Sequence, residues 1–177
     1  MQVDTLERRW VWVIGLIVAI MLTSIFYTAF SFQAQPPSNI EPIDSTRLHL
    51  TDEFAEDNLG PKTHPDGSVT VVLVAHRYGF SPAHIEVPAG VPVTFRVATP
   101  DTLHGLHIPG TNIDTMVVPG YVSEITATIQ YDEVAKYGER DADGKIMLPV
   151  FCNEFCGLNH HFMWGEVSVL PSANVGT

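Results

Sequence analysis

The chain has 177 residues, 45% of them hydrophobic, which suits one ordinary folded domain plus one additional element. Its 20 acidic and 9 basic residues leave a formal net charge of −11. Such an acidic surface repels nucleic acid and anionic headgroups, so no nucleic-acid partner is expected; it keeps the chain soluble and can steer a basic protein partner.

Residues 1–9 are expected to form a short cytoplasmic N-terminus. From Trp10 to Phe32 the sequence reads WVWVIGLIVAIMLTSIFYTAFSF, a run without charge and long enough as a helix to cross a hydrocarbon core of about 30 Å. A secretory signal would have a shorter apolar region of roughly 7–15 residues and a small-residue cleavage site. This run ends instead in the aromatics Phe26, Tyr27, Phe30 and Phe32, so residues 10–32 read as a retained transmembrane helix. Arg8 and Arg9 precede the span and the next basic residue is Arg47, which by the positive-inside rule keeps the N-terminus cytoplasmic and exports the rest. Asp4 and Glu7 cancel Arg8 and Arg9, so the whole net charge of −11 lies in the exported part.

Residues 33–66 turn to Pro, Asp, Glu, Ser and Asn without sustained periodicity and read as an extended linker. Within it STRLHLTDEFAEDN has the makings of one short amphipathic helix. From residue 67 to 177 short runs rich in Val, Ile, Thr and Phe, each closed by Pro or Gly, predict an antiparallel β-sandwich or barrel. The alternation is clearest in VPVTFRVA, where Val91, Val93, Phe95 and Val97 share one face and Thr94 and Arg96 the other.

The chemistry gathers in FCNEFCGLNHHFMWG, beginning at Phe151. This stretch holds both cysteines of the chain, two histidines and a methionine. Cys152, Cys156, His160 and Met163 lie on one loop between two expected strands and can converge on a point. Two thiolates, an imidazole and a thioether select copper, since zinc sites rarely use Met. A second imidazole is required, and His104 in PDTLHGLHIPGTN is the candidate, at the start of a strand well upstream. Three other readings stand beside this one: a Cys152–Cys156 disulfide, suited to an oxidising compartment; a zinc site of His104, Cys152, Cys156 and His160; and a mononuclear blue-copper site that leaves one cysteine idle.

The order His104, then Cys152-x-Glu154-x-Cys156-x-x-x-His160-x-x-Met163, resembles the binuclear CuA centre of subunit II of the haem–copper cytochrome c oxidases. The likeness extends over the exported domain, including GFSPAHIEVPAGVPVTFRVATPDTLHGLHIPGTN. The single span and the HGLH sequence are most similar to the compact B-type (ba-type) form. The resemblance implies an all-β, cupredoxin-like Greek-key sandwich or barrel behind a single N-terminal transmembrane helix. It implies that Cys152 and Cys156 bridge two coppers, that His104 and His160 bind one each, that Met163 is a weak axial ligand and that the Glu154 carbonyl is the other. Glu154 stands where some compact relatives have Gln, whereas A-type relatives use a glutamate there to help hold a Mg²⁺ or Mn²⁺ at the contact with subunit I, so the resemblance leaves room for a Mg²⁺ held through Glu154.

By that resemblance the chain takes electrons from cytochrome c or a small copper protein. It passes them to haem in subunit I, where dioxygen is reduced to water and protons are translocated, and it is not catalytic alone. Two alternatives follow from the same residues: a membrane-anchored copper-binding or copper-delivery protein, and the CuA subunit of a nitric oxide reductase. Tyr78, Phe155 and Phe162 are candidates for the surface where electrons arrive. His107 is read as sharing the strand face of His104, and so as a partner of the ligands or part of that surface.

Overall fold

The computed structural model describes residues 4–31 and 41–171. Two compact units divide between Pro36 and Pro37. The first is helix α1, Thr5–Ser31, whose stretch Thr5–Phe30 is long and apolar enough to cross a membrane. The helix starts five residues before the charge-free run and takes in Arg8 and Arg9. Asp4 explains this: its carboxylate accepts from the Thr5 hydroxyl at 3.2 Å and the Leu6 amide at 3.3 Å, which occupies a free donor of the first turn. Phe32 and residues 33–40 of the expected linker lie outside the described residues.

The second unit is β-rich. In chain order it comprises β1 (Glu41–Pro42), β2 (Gly60–Thr63), β3 (Val69–His76), β4 (Gly79–Ser81), β5 (His84–Pro88) and β6 (Pro92–Ala98). Then follow β7 (His104–His107), β8 (Asp114–Val117), β9 (Tyr121–Thr128), the one-turn helix α2 (Tyr131–Val134), β10 (Glu139–Arg140), β11 (Ile146–Phe151) and β12 (Trp164–Leu170). One sheet runs β1-β9-β6-β3-β2 with β4 on β3, and the other runs β5-β12-β11-β7-β8 with β10 on β11. Pairing is antiparallel except β3 with β6 and β5 with β12. The two sheets face each other over one core: Val71, Leu73, Phe95 and Val97 of the first sheet meet Ile85, Leu106, Leu148 and Val167 of the second, all fully or nearly fully buried. The fold is the expected cupredoxin-like sandwich, and β6 alternates as its sequence requires.

The described part of the expected linker is folded onto the sandwich. Residues 41–59 carry Leu48 and Phe54, which pack with Val72, Ala98 and Val122 on the outer face of the first sheet. Two 3₁₀ turns, Ser45–Leu50 and Glu56–Asn58, replace the single helix predicted there: Asp44 caps the first, but Arg47 is non-helical (φ −129°, ψ 30°) and Thr51 and Ala55 are extended. Glu41 and Glu53 then meet the Arg96 guanidinium at 2.9 Å, and Glu124 accepts from the same group. The reason is legible in β3: VTVVLVA is apolar at successive positions, as a strand covered on both faces must be.

Candidate metal centre

The ligand loop spans the gap between β11 and β12, whose last and first residues, Phe151 and Trp164, are paired. The Cys152 amide donates to the Met163 carbonyl at 3.3 Å and closes the loop at its neck. Within it, amide bonds from His160 to Gly157 (3.1 Å), Phe162 to Asn159 (2.9 Å) and Met163 to His160 (3.0 Å) wind a 3₁₀ turn over His160–Phe162. That turn carries His160 and Met163 back toward the cysteines. His104 opens β7 opposite Val117 and is fully buried.

Six donors converge. The Cys152 and Cys156 sulphurs are free thiols 4.0 Å apart. His104 Nδ1 lies 3.7 Å from Cys152 Sγ, and His160 Nδ1 lies 3.6 Å from Cys156 Sγ. Met163 Sδ is 3.6 Å from Cys156 Sγ, and the Glu154 carbonyl oxygen is 3.1 Å from Cys152 Sγ. The donor atoms of His104, Cys152 and Cys156 all fall within 4.8 Å of one another, in buried surroundings. Each sulphur has its own imidazole and its own weak donor, so the two halves of the cluster mirror each other. Soft sulphur with imidazole suits copper.

Burial and the neighbouring Cys152 push the Cys156 thiol up to about 11. Both effects disfavour the bare thiolate, and a cation bound by the sulphurs offsets them. The carboxylate of Asp101 accepts from His104 Nε2 at 2.7 Å, leaving Nδ1 free to face Cys152. Burial raises Asp101, but the bonds from His104 and from the amides of Arg77 and Thr102 outweigh it and hold the group below the usual carboxylate value. A carboxylate behind a ligating imidazole fixes its tautomer and ring plane.

Two glycines let the loop approach the sandwich. A Cβ on Gly105 would stand 1.8 Å from Asn153 Oδ1 and 3.0 Å from the Asn153 amide nitrogen. The Gly105 amide itself donates to Cys152 Sγ at 3.5 Å, and Asn153 Nδ2 donates to Asp114 at 2.8 Å. Gly157, at φ +137°, has the Tyr78 hydroxyl 2.7 Å from where a Cβ would be. Tyr78 therefore presses on the ligand loop while packing against the core.

Phe155 and Phe162 are 77% and 64% exposed beside the site, with Leu158 at 90%, so the loop presents an apolar surface to its surroundings. Phe155 also meets the His160 ring edge-on at 5.8 Å. His107 does not share the face of His104. The two are three residues apart, an odd number, so their side chains point to opposite sides of β7. His107 Nδ1 has no hydrogen-bond partner among the described residues, and the nearest carboxylate oxygen, on Asp114, is 3.8 Å away. Sequence reasoning passed over Asp101, Arg77, Gly105 and Asn153. Asp101 had a signal in its place three residues before His104; the others had none.

No family model matches the chain. It is 29% identical over 165 residues to a cytochrome c oxidase subunit 2 of Thermus thermophilus, covering 92% of this chain and 90% of that one. To another cytochrome c oxidase subunit 2 of Thermus thermophilus it is 31% identical over 134 residues, covering 76% and 90%. It also shares the fold of a chain from a haem–copper terminal oxidase dimer solved by cryo-electron microscopy, with a TM-score of 0.57, 23% identity, and coverage of 88% and 97%.

Proposed function

The chain belongs to the cytochrome c oxidase subunit II family, and from that premise we propose that its six converging donors hold two copper ions as a binuclear CuA centre. Cys152 and Cys156 would bridge the pair, with His104, His160, Met163 and the Glu154 carbonyl completing it. The observation that carries this reading is the paired arrangement, in which each thiol sulphur has an imidazole nitrogen within 3.7 Å and a weak donor within 3.6 Å. Met163 inside the cluster favours copper over zinc. When bound, such a pair supplies one-electron storage spread over both metals.

The protein's own contribution is rigidity, exclusion of water and a place to dock. The β11–β12 pairing, the 3₁₀ turn and the Asp101 carboxylate position the donors. The ligand sulphurs and His104 are buried, which keeps the site dry. Exposed Phe155, Leu158 and Phe162, with Tyr78 behind Gly157, offer an apolar centre to cytochrome c or a small copper protein. The acidic net charge of −11 steers a basic donor toward it. Electrons then pass to haem in subunit I, where dioxygen reduction and proton translocation occur. The Glu154 carboxylate would serve a Mg²⁺ at that contact. Helix α1 anchors the chain as a single-pass membrane protein. Residues 1–9 would lie in the cytoplasm, and the domain on the periplasmic or extracellular side, with Arg8 and Arg9 setting the orientation.

The test is copper per chain with the electron paramagnetic resonance spectrum of the copper-loaded protein. Two coppers sharing one unpaired electron are expected, and Cys152→Ser abolishes the signal. One copper with an ordinary four-line pattern would replace this reading with that of a copper-delivery protein.

A further inference from the structure

Arg77 lies in the turn between β3 and β4, far in sequence from every metal donor, and it is exposed. An exposed arginine in an acidic chain would ordinarily be a solvated charge. Here it is held on two sides. Its main-chain amide donates to Asp101 Oδ2 at 2.8 Å, and its side-chain Nε donates to the Cys156 carbonyl at 3.0 Å, across 79 residues of sequence. The other oxygen of the same Asp101 carboxylate accepts from His104 Nε2 at 2.7 Å. A continuous hydrogen-bonded path therefore runs from the imidazole of His104, through Asp101 and Arg77, to the backbone of Cys156.

The two ends of that path belong to the two separate segments that make up the cluster. His104 enters from β7 and Cys156 from the loop after β11, and nothing in their local sequence fixes one against the other. The next residue, Tyr78, touches the same loop at Gly157, so the β3–β4 turn braces the loop at two neighbouring points. We propose that Arg77 is a positioning residue of the metal centre, whose side-chain Nε holds the Cys156 end of the ligand loop while its main-chain amide holds the Asp101–His104 end. The inference rests on the copper reading given above.

The clasp needs a donor at Nε, not merely a positive charge. Lysine keeps the charge but has no donor at that place on the side chain, and methionine keeps the approximate length with neither. This separates hydrogen bonding from electrostatics. The full-length chain in detergent is loaded with copper, and wild type is compared with Arg77→Met and Arg77→Lys. Three quantities are read: the rate of copper transfer to a chelator, the reduction potential of the bound centre, and the unfolding temperature of the metal-free chain. Losing a group that supports a ligand typically weakens metal binding by about 10–100-fold. Both variants are expected to lose copper faster within that range and to shift the potential, with metal-free unfolding unchanged.

Wild-type copper release and potential in Arg77→Met would overturn the proposal. So would wild-type behaviour in Arg77→Lys alone, which would leave only a charge effect, or a fall in metal-free stability that accounts for the faster release. If wild type itself failed to take up two coppers, the copper reading would fail first. Should Arg77→Met not fold, Arg77→Lys decides the matter by the same two readouts.

Discussion

Gly105→Ala tests whether the close approach of the ligand loop to β7 holds the cluster together. The added methyl would start 1.8 Å from Asn153 Oδ1 and 2.9 Å from its Cγ. The amide end of Asn153 can swing away, at the expense of its 2.8 Å bond to Asp114. The Asn153 main-chain nitrogen, at 3.0 Å, cannot, so the backbone next to Cys152 has to move. Overpacking of this kind costs about 1–3 kcal/mol, and the lower backbone entropy of alanine in the unfolded chain returns about 0.4–1 kcal/mol. The expected net loss is about 1–2 kcal/mol, or several degrees in the unfolding temperature of a domain of this size. The larger effect falls on the metal, because Cys152 Sγ receives the Gly105 amide and sits beside His104. Thermal unfolding of the metal-free chain and the copper spectrum after loading are the assays. Gly79→Ala is the control, since its new carbon meets nothing nearer than 3.4 Å. A Gly105→Ala chain with wild-type stability and an unaltered copper spectrum would refute the argument.

Arg96→Met leaves Glu41, Glu53 and Glu124 facing one another without their shared cation. Breaking a buried pair costs about 3–5 kcal/mol, but these carboxylates keep 32–42% of their side-chain surface, so about 2 kcal/mol is expected, with faster proteolysis within residues 41–59. Met163→Leu conserves volume at a site 2% exposed and should cost under about 1.5 kcal/mol; copper is retained with a shifted potential, whereas total loss of copper would show the thioether to be a principal ligand. The Cys156 thiol is raised from 9.0 to about 11 in the metal-free fold. A raised value stabilises the fold below the ordinary pKa, and that contribution is lost as pH climbs toward about 11. Copper takes the thiol proton, so unfolding temperature followed through the alkaline range should fall for the metal-free chain and not for the loaded one.

The β-rich fold class, the apolar N-terminal helix and the candidate donors of the loop after β11 were legible in the sequence. Strand periodicity in VPVTFRVA is a local property of the chain, as is a charge-free run long enough to span a bilayer. Spacing within a single loop is equally local, which is why Cys152, Cys156, His160 and Met163 were legible as one group. His104 was legible only as a residue type at a strand start, because what joins it to the loop is the pairing of sheets far apart in sequence. Other features exist only once the chain is folded. Residues 41–59 look like linker by composition, yet they cover the outer face of the first sheet, since Leu48 and Phe54 find partners there that no local pattern reveals. The spacing of three residues between His104 and His107 already puts them on opposite faces of a strand, whereas the pairing of His107 with Phe151, next to Cys152, exists only in the fold. The Arg77–Asp101–His104 path and the fit of Asn153 over Gly105 depend on distances between segments brought together only by folding. Hydrogen bonds and steric contacts act over a few ångströms in space, and separation along the chain carries no record of them.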